Sequence, residues 1–388
     1  MENWQVGGFG IYVHWPFCAA KCPYCDFNSH VSRGIDQVAY RKAYLSEIDH
    51  WADQTEGRVV SSVFFGGGTP SLMDPDTTAA ILDRIAGRWT MANDLEVTLE
   101  ANPTSVEAGR FRAFAGAGVN RFSVGLQALN DGDLTRLGRL HSVDEGRRAY
   151  EIARDTCDRV SFDLIYARQD QSLAAWEAEL RTALAMEPDH LSLYQLTIEE
   201  GTAFGDRAAI GRLGGLPSED LSADMYDLTQ AMTAQAGIPR YEISNHARPG
   251  AESRHNLIYW RGGDWLGIGP GAHGRVALNG HRTATRNAMM PEVWRSLAQT
   301  RGHGAEERQT LQNIDTAEEL LLMSLRLRDG LDLDRLHTLG FCPDDAAIQS
   351  LVDQGVLVAD QTTLRATDRG TPVLNQVIGG LLPLQPVG

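Results

Sequence analysis

The chain holds 388 residues with 43% hydrophobic content, a formal net charge of -16 and a sequence pI near 5.1. At roughly 100–200 residues per domain this is length for two or three domains, and the acidic balance excludes a general nucleic-acid binder, which needs a basic face. No apolar run reaches the roughly 18 residues of a membrane helix, and Met1–Gly10 lacks an export pattern, so a cytoplasmic protein outside the integral membrane class is expected.

In chain order, short β-rich runs recur at residues 10–15, 62–65, 95–101, 121–127, 159–166 and 190–198. Helical patterns separate them at 35–52, 76–88, 106–117, 144–155 and 173–186. Strand and helix in steady alternation predict βαβ units and a parallel sheet, here α/β and long enough for a barrel or partial barrel. Within the runs, Val97 and Leu99 alternate with Glu96, Thr98 and Glu100, and Phe122, Val124 and Leu126 alternate with polar or small residues. One face therefore packs on helices; in a closed sheet the other lines a polar lumen that suits a ligand cavity, and in an open sheet it is a solvated face.

Beyond residue 205 the pattern changes. A Gly- and Arg-rich loop (205–217), an amphipathic helix (219–236) and a short strand at Tyr241–Ile243 are predicted. Residues 244–300 are rich in Gly, His, Asn and Trp with little periodicity. Helices then follow at 316–327, 332–338 and 344–354, with a closing hairpin at 356–366. This pattern resembles a winged helix, although from Ala305 onward 6 Arg face 13 Asp and Glu, a balance that repels DNA. The expected domains are 1–205, 206–304 and 305–388.

Five cysteines are present, and three crowd into HWPFCAAKCPYC: Cys18, Cys22 and Cys25. Clustered thiols of this kind point to metal binding or redox chemistry rather than bridges. A structural zinc site wants a fourth ligand, and Phe27 stands where a fourth nearby Cys would complete C-x3-C-x2-C-x-C.

The C-x3-C-x2-C spacing with Tyr24 before the last Cys resembles the radical S-adenosylmethionine (SAM) superfamily. That resemblance implies a partial (βα)6 TIM-like barrel and a [4Fe–4S] cluster held by Cys18, Cys22 and Cys25, with its open iron taken by SAM. It further implies that Gly67, Gly68 and Thr69 of the GGGTP turn hold the methionyl amino group. Glu100, Gln127 and Asp163 would contact the methionine end and ribose, Arg139 would bind a carboxylate, and Tyr12 and Thr197 would make peripheral contacts. The whole chain is similar to the coproporphyrinogen-dehydrogenase branch, whose true dehydrogenases carry the fourth Cys and extend further upstream. CPYCDFNSH and HNLIYW (His255–Trp260) resemble instead the heme-chaperone subgroup, in which HNxxYW is tied to heme binding. His255 is thus the expected heme contact, imidazole being a common axial ligand. Heme and an acceptor hemoprotein, such as a respiratory enzyme, are the implied partners. The rival readings are an oxygen-independent coproporphyrinogen III dehydrogenase and a radical enzyme for an unrelated substrate. One local departure is Ala167-Arg168-Gln169, where the family often has Gly-Leu-Pro.

Overall fold

The computed structural model describes residues 3–32, 34–104 and 109–387. Six strands run parallel and in sequence order: β1 (Phe9–Trp15), β2 (Val59–Gly67), β3 (Thr90–Ala101), β4 (Arg121–Gln127), β5 (Arg159–Tyr166) and β6 (His190–Gln195). Between them lie α1 (Gln37–Ala52), α2 (Pro75–Arg88), α3 (Phe111–Gly116), α4 (Val143–Arg154) and α5 (Leu173–Leu184). The sheet does not close on itself; it is a partial barrel with an edge at each end. The helix expected over 106–117 begins outside the described residues, and α3 is its described part.

Helix starts follow from local chemistry. Asp36 caps α1 by accepting from the Ala39 amide, and Ser142 with Glu145 forms a reciprocal capping box on α4. The alternation seen in the sequence separates the two faces of the sheet. Val97, Leu99, Phe122, Val124, Phe162 and Leu164 are buried in the core against the helices, while Glu100, Ser123 and Asp163 line the lumen.

After α6 (Glu219–Gln235) the chain returns to the sheet through β7 (Asn245–Ala247), antiparallel to β6. The strand expected at Tyr241–Ile243 is displaced to these residues. The Glu242 carboxylate accepts from the Ser244 amide and the Asn245 side chain, folding 241–244 into a tight bend ahead of the strand. The aperiodic stretch beyond it also joins the main sheet. Following α7 (Arg254–Trp260), β8 (Asp264–Ile268) pairs parallel with β1, and β9 (His273–Leu278), β10 (His281–Asn287) and β11 (Ala305–Thr310) continue as antiparallel strands, with α8 (Pro291–Arg301) packed on α1. A buried ion-pair set fixes this seam: Asp264 receives Arg58 at 2.6 Å and Arg282 at 3.2 Å.

The C-terminal part has its own core of Leu320, Leu321, Leu336, Leu357, Leu364 and Ile378 among others. It is built on α9 (Asn313–Ser324), α10 (Leu333–Leu339), further helices and a three-stranded antiparallel sheet of Leu331–Asp332, Thr363–Ala366 and Leu357–Ala359. Ser324 Oγ donates to the Trp260 carbonyl at 3.1 Å, fastening this module to α7.

Candidate functional site

The thiol loop leaves β1 at Trp15 and is pinned at its base. His14, last-but-one in β1, donates from Nε2 to the Asn28 carbonyl at 2.9 Å, and its Nδ1 meets the Tyr12 hydroxyl at 3.0 Å. The His30 amide donates back to the Pro16 carbonyl at 2.7 Å, and the Asn28 amide group donates to the carbonyls of Pro270 and Met289. Inside this frame the three thiols have separate polar neighbours: Thr69 Oγ1 lies 3.4 Å from Cys18, Arg139 Nη1 3.5 Å from Cys22, and Ser29 Oγ 3.9 Å from Cys25. Burial raises the Cys18 and Cys25 thiols above their ordinary values.

The glycine turn after β2 has a steric reason. A side chain at Gly68 would come 2.8 Å from the Phe17 carbonyl oxygen, and one at Gly67 would strike the His14 ring at 2.5 Å. Gly67 also sits at φ +112°, which disfavours any other residue. Its amide donates to Glu100 at 3.3 Å. Burial, and then repulsion from Asp163, lifts the Glu100 carboxyl to about 8, with the Gly67 amide opposing. Burial likewise lifts Asp163 to about 6, against hydrogen bonds from Ser192 and Ser123. Two carboxyls crowded into one recess ionise more readily beside a cationic ligand. Arg139 bridges Cys22, the Asn102 side chain at 2.6 Å and the Gly125 carbonyl at 3.0 Å, and the buried Tyr24 hydroxyl lies against it.

Cys18, Cys22, Cys25, Tyr24, Gly67, Gly68, Thr69, Glu100, Gln127, Arg139 and Asp163 all line one recess of about 150 Å³. Among the described residues no three His, Cys, Asp or Glu side chains stand close enough to share a single ion. Thiols spread in this way suit a cluster in which each meets its own iron, so the donor set fits a [4Fe–4S] group with an open position. The recess opens into a larger cavity of about 880 Å³ that shares Tyr24, Cys25, Phe27, Glu100, Gln127 and Asp163 with it, and Thr197 lies on that second wall.

Two expected residues lie elsewhere. Tyr12 is in the barrel interior, stacked on Phe64 and 6.2 Å from the His255 ring. His255 is 1% exposed, with Nδ1 held by Ser62 Oγ at 2.6 Å and Nε2 by the Tyr259 hydroxyl at 2.7 Å; burial takes its pKa down to about 3. Both nitrogens are thus engaged by side chains of the protein. Sequence reasoning passed over Asn102, which links Arg139 to Thr69 Oγ1 at 3.1 Å, and Ser123, bonded to Asp163 at 3.4 Å. Both stand on or beside polar strand faces already legible in LEANP and RFSVGLQ.

A parallel part-barrel with three thiols beyond its first strand and a polar recess at the strand ends defines a radical SAM protein. The family model of the radical SAM superfamily matches residues 12–181, and that of the HemN C-terminal domain matches 311–373. Mitochondrial radical S-adenosyl methionine domain-containing protein 1 of Bos taurus is 40% identical over 386 residues, covering 96% of this chain and 87% of that protein. The heme chaperone HemW of Escherichia coli (strain K12) is 36% identical over 374 residues, covering 95% and 96%. The structure of E. coli coproporphyrinogen III oxidase (HemN) superposes with a TM-score of 0.80 at 22% identity, over 96% of this chain and 89% of that one. The chain belongs to the radical SAM superfamily, in the family of these HemW and domain-containing-protein-1 relatives. A [4Fe–4S] cluster and SAM follow from that membership. Among the described residues no helix is long and apolar enough to cross a membrane.

Proposed function

We propose that this protein is a heme chaperone, binding heme and passing it to an acceptor hemoprotein, with a SAM-bound cluster supporting the work from the barrel. The observation that carries this reading over the decarboxylase rival is the lining of the larger cavity. Asp26, Glu100, Asp163, Glu199 and Glu219 stand on its wall, and among its described lining residues there is no Arg, Lys or His. A substrate bearing four propionates would meet repulsion there, whereas a dehydrogenase must grip those carboxylates. The exposed Phe27, 60% accessible at the cavity mouth where dehydrogenases carry a fourth Cys, supports the same choice, as does the similarity to the HemW heme chaperones.

Cys18, Cys22 and Cys25 would hold the cluster, whose chemistry when bound is one-electron reduction of the sulfonium. Glu100 and Asp163 would pair the cationic end of SAM, while Arg139, braced by Asn102 and the Gly125 carbonyl, positions Cys22 and Tyr24 and offers a guanidinium for a carboxylate. Gln127 and Thr69 supply neutral hydrogen-bonding groups between them. Residues 1–205, 206–304 and 305–388 would act as barrel, heme-associated segment and cap, in the cytoplasm. The test is anaerobic reconstitution followed by hemin titration and a coproporphyrinogen assay. A Soret shift with hemin, and loss of iron and sulfide on Cys22→Ser, are expected; formation of protoporphyrinogen would overturn the chaperone reading.

A further inference from the structure

The His255–Tyr259 pair lies between two spaces. On one side is the barrel interior. On the other is a cleft of about 340 Å³ between the barrel seam and the C-terminal module, walled in part by Tyr259, Trp265, Met323, Leu320, Arg282 and Arg335. Tyr259 packs edge-on against His255 at 4.8 Å and against Trp265 at 4.6 Å, so its ring closes the way from the cleft to the imidazole. Its hydroxyl points inward and is held by His255 Nε2.

The chemistry of the cleft differs from that of the barrel cavity. Trp265, Tyr259, Leu320 and Met323 offer a flat, polarisable apolar surface, which suits a conjugated ring. Gly262 bares the floor: at φ +57° a side chain there would come within 2.8 Å of Leu320 and 3.5 Å of Arg335 Nη2. Arg335 is aimed by one bond from Nη1 to the Arg261 carbonyl at 2.6 Å. Arg282 beneath it is committed to Asp264 and to the Gly262 and Gly263 carbonyls, and so contributes mainly a fixed positive field. The carboxylate at the cleft, Glu319, is already shared between Arg275 and Arg282. In a chain of net charge -16 this is a cationic, aromatic-walled slot.

Resting on the heme-chaperone reading, we infer that this cleft receives the propionate edge of a heme, with Arg335 pairing a carboxylate and Trp265 and Tyr259 lying against the edge of the ring. The slot is too small to enclose the macrocycle, which leaves most of the porphyrin outside. For cargo that has to be surrendered to an acceptor, holding one edge is the fitting mode.

The test uses the reconstituted full-length protein and a hemin titration followed by Soret absorbance, with hemin dimethyl ester as the uncharged comparison. Arg335→Ala is expected to weaken hemin binding about tenfold, the loss of one charge-assisted hydrogen bond, and to leave the dimethyl ester unaffected. Arg335→Lys should recover part of the loss. Thr338→Trp, at an exposed position on the rim, should block both ligands without lowering the melting temperature. Wild-type affinity for hemin in both the Arg335→Ala and Thr338→Trp variants would overturn the cleft assignment while the chaperone reading stands. Absence of hemin binding by the wild-type protein would remove that reading itself.

Discussion

At the residue scale the carboxyl pair of the recess makes the sharpest demand. Glu100 is lifted to about 8 by burial and then by Asp163, and Asp163 to about 6 by burial, so near neutrality Glu100 is largely protonated until a cation arrives. Binding a cation requires the ionised form. The affinity of the reconstituted protein for SAM should therefore rise between about pH 6 and 7.5, at up to about one log unit per pH unit. Glu100→Gln should bind more weakly and flatten that slope, as isothermal titration at several pH values will report. The recess was largely readable in the sequence because thiol spacing, a glycine turn and polar strand positions are local patterns. His255 was not, because burial is a tertiary property: HNLIYW names the residues but not the fact that Ser62, 193 positions away, already holds the imidazole. The Ala167-Arg168-Gln169 departure has a similar answer. Ala167 takes φ +55° where a glycine would be easy, and the Arg168 guanidinium beside it is buried between Asp133 at 2.9 Å and Glu179 at 2.6 Å. These ion pairs hold the loop that the turn residues would otherwise shape.

At the element scale, the seam between α1, α8 and the antiparallel strands is organised by Glu47. Its buried carboxylate accepts from the amides of Gly269 at 2.8 Å and Gly304 at 2.7 Å, from Trp294 Nε1 at 2.9 Å and from the Asn287 side chain at 3.1 Å. Glu47→Ala strands four buried donors and should cost about 3 kcal/mol or more, measured by urea denaturation. Burial lifts this carboxyl to about 7 despite those bonds. A raised folded-state value means that the proton on this carboxyl contributes stability, fully present below the unfolded value near 4.5 and lost as pH climbs through about 7. The wild-type advantage over Glu47→Ala should accordingly shrink across that window. In the sequence this helix was legible by its pattern, but a lone Glu on its buried face carried no sign of partners more than 200 residues away. The displaced strand at β7 is a comparable case. Tyr241-Glu242-Ile243 has strand propensity, and the local bonds of Glu242 to Ser244 and Asn245 override it.

At the scale of the whole molecule, the two larger hydrophobic cores among the described residues separate the extended barrel from the C-terminal module, with a small third cluster around Leu134, Leu137 and Phe204. Leu336, fully buried in the second core, makes few demands on the first. Leu336→Ala should destabilise the module by about 2–4 kcal/mol, and hydrogen exchange should show protection lost in α9 and α10 before the barrel strands. Retention of the cluster absorbance through that first transition is the expected outcome; simultaneous loss would show that the two cores unfold as one unit. The six parallel strands were readable from alternation alone. Continuation of the same sheet through residues 264–310 was not, since β8 pairs with β1 at the other end of the sequence and the strands that follow are rich in polar and charged residues, as in His281–Asn287 and Ala305–Thr310.

That last arrangement sets the order in which the molecule can be assembled. β1 forms near the start of the chain, but one of its two neighbours, β8, pairs Phe9 with Asp264 and Val13 with Ile268. During synthesis the first strand therefore stays an open edge until most of the chain has been made, and pairings of such sequence separation close late. The thiol loop hangs directly from that strand, and its anchor at Asn28 also waits for Pro270 and Met289. The loop that carries the three thiols thus reaches its final anchorage only when residues 270 and 289 have been made, long after the cysteines themselves.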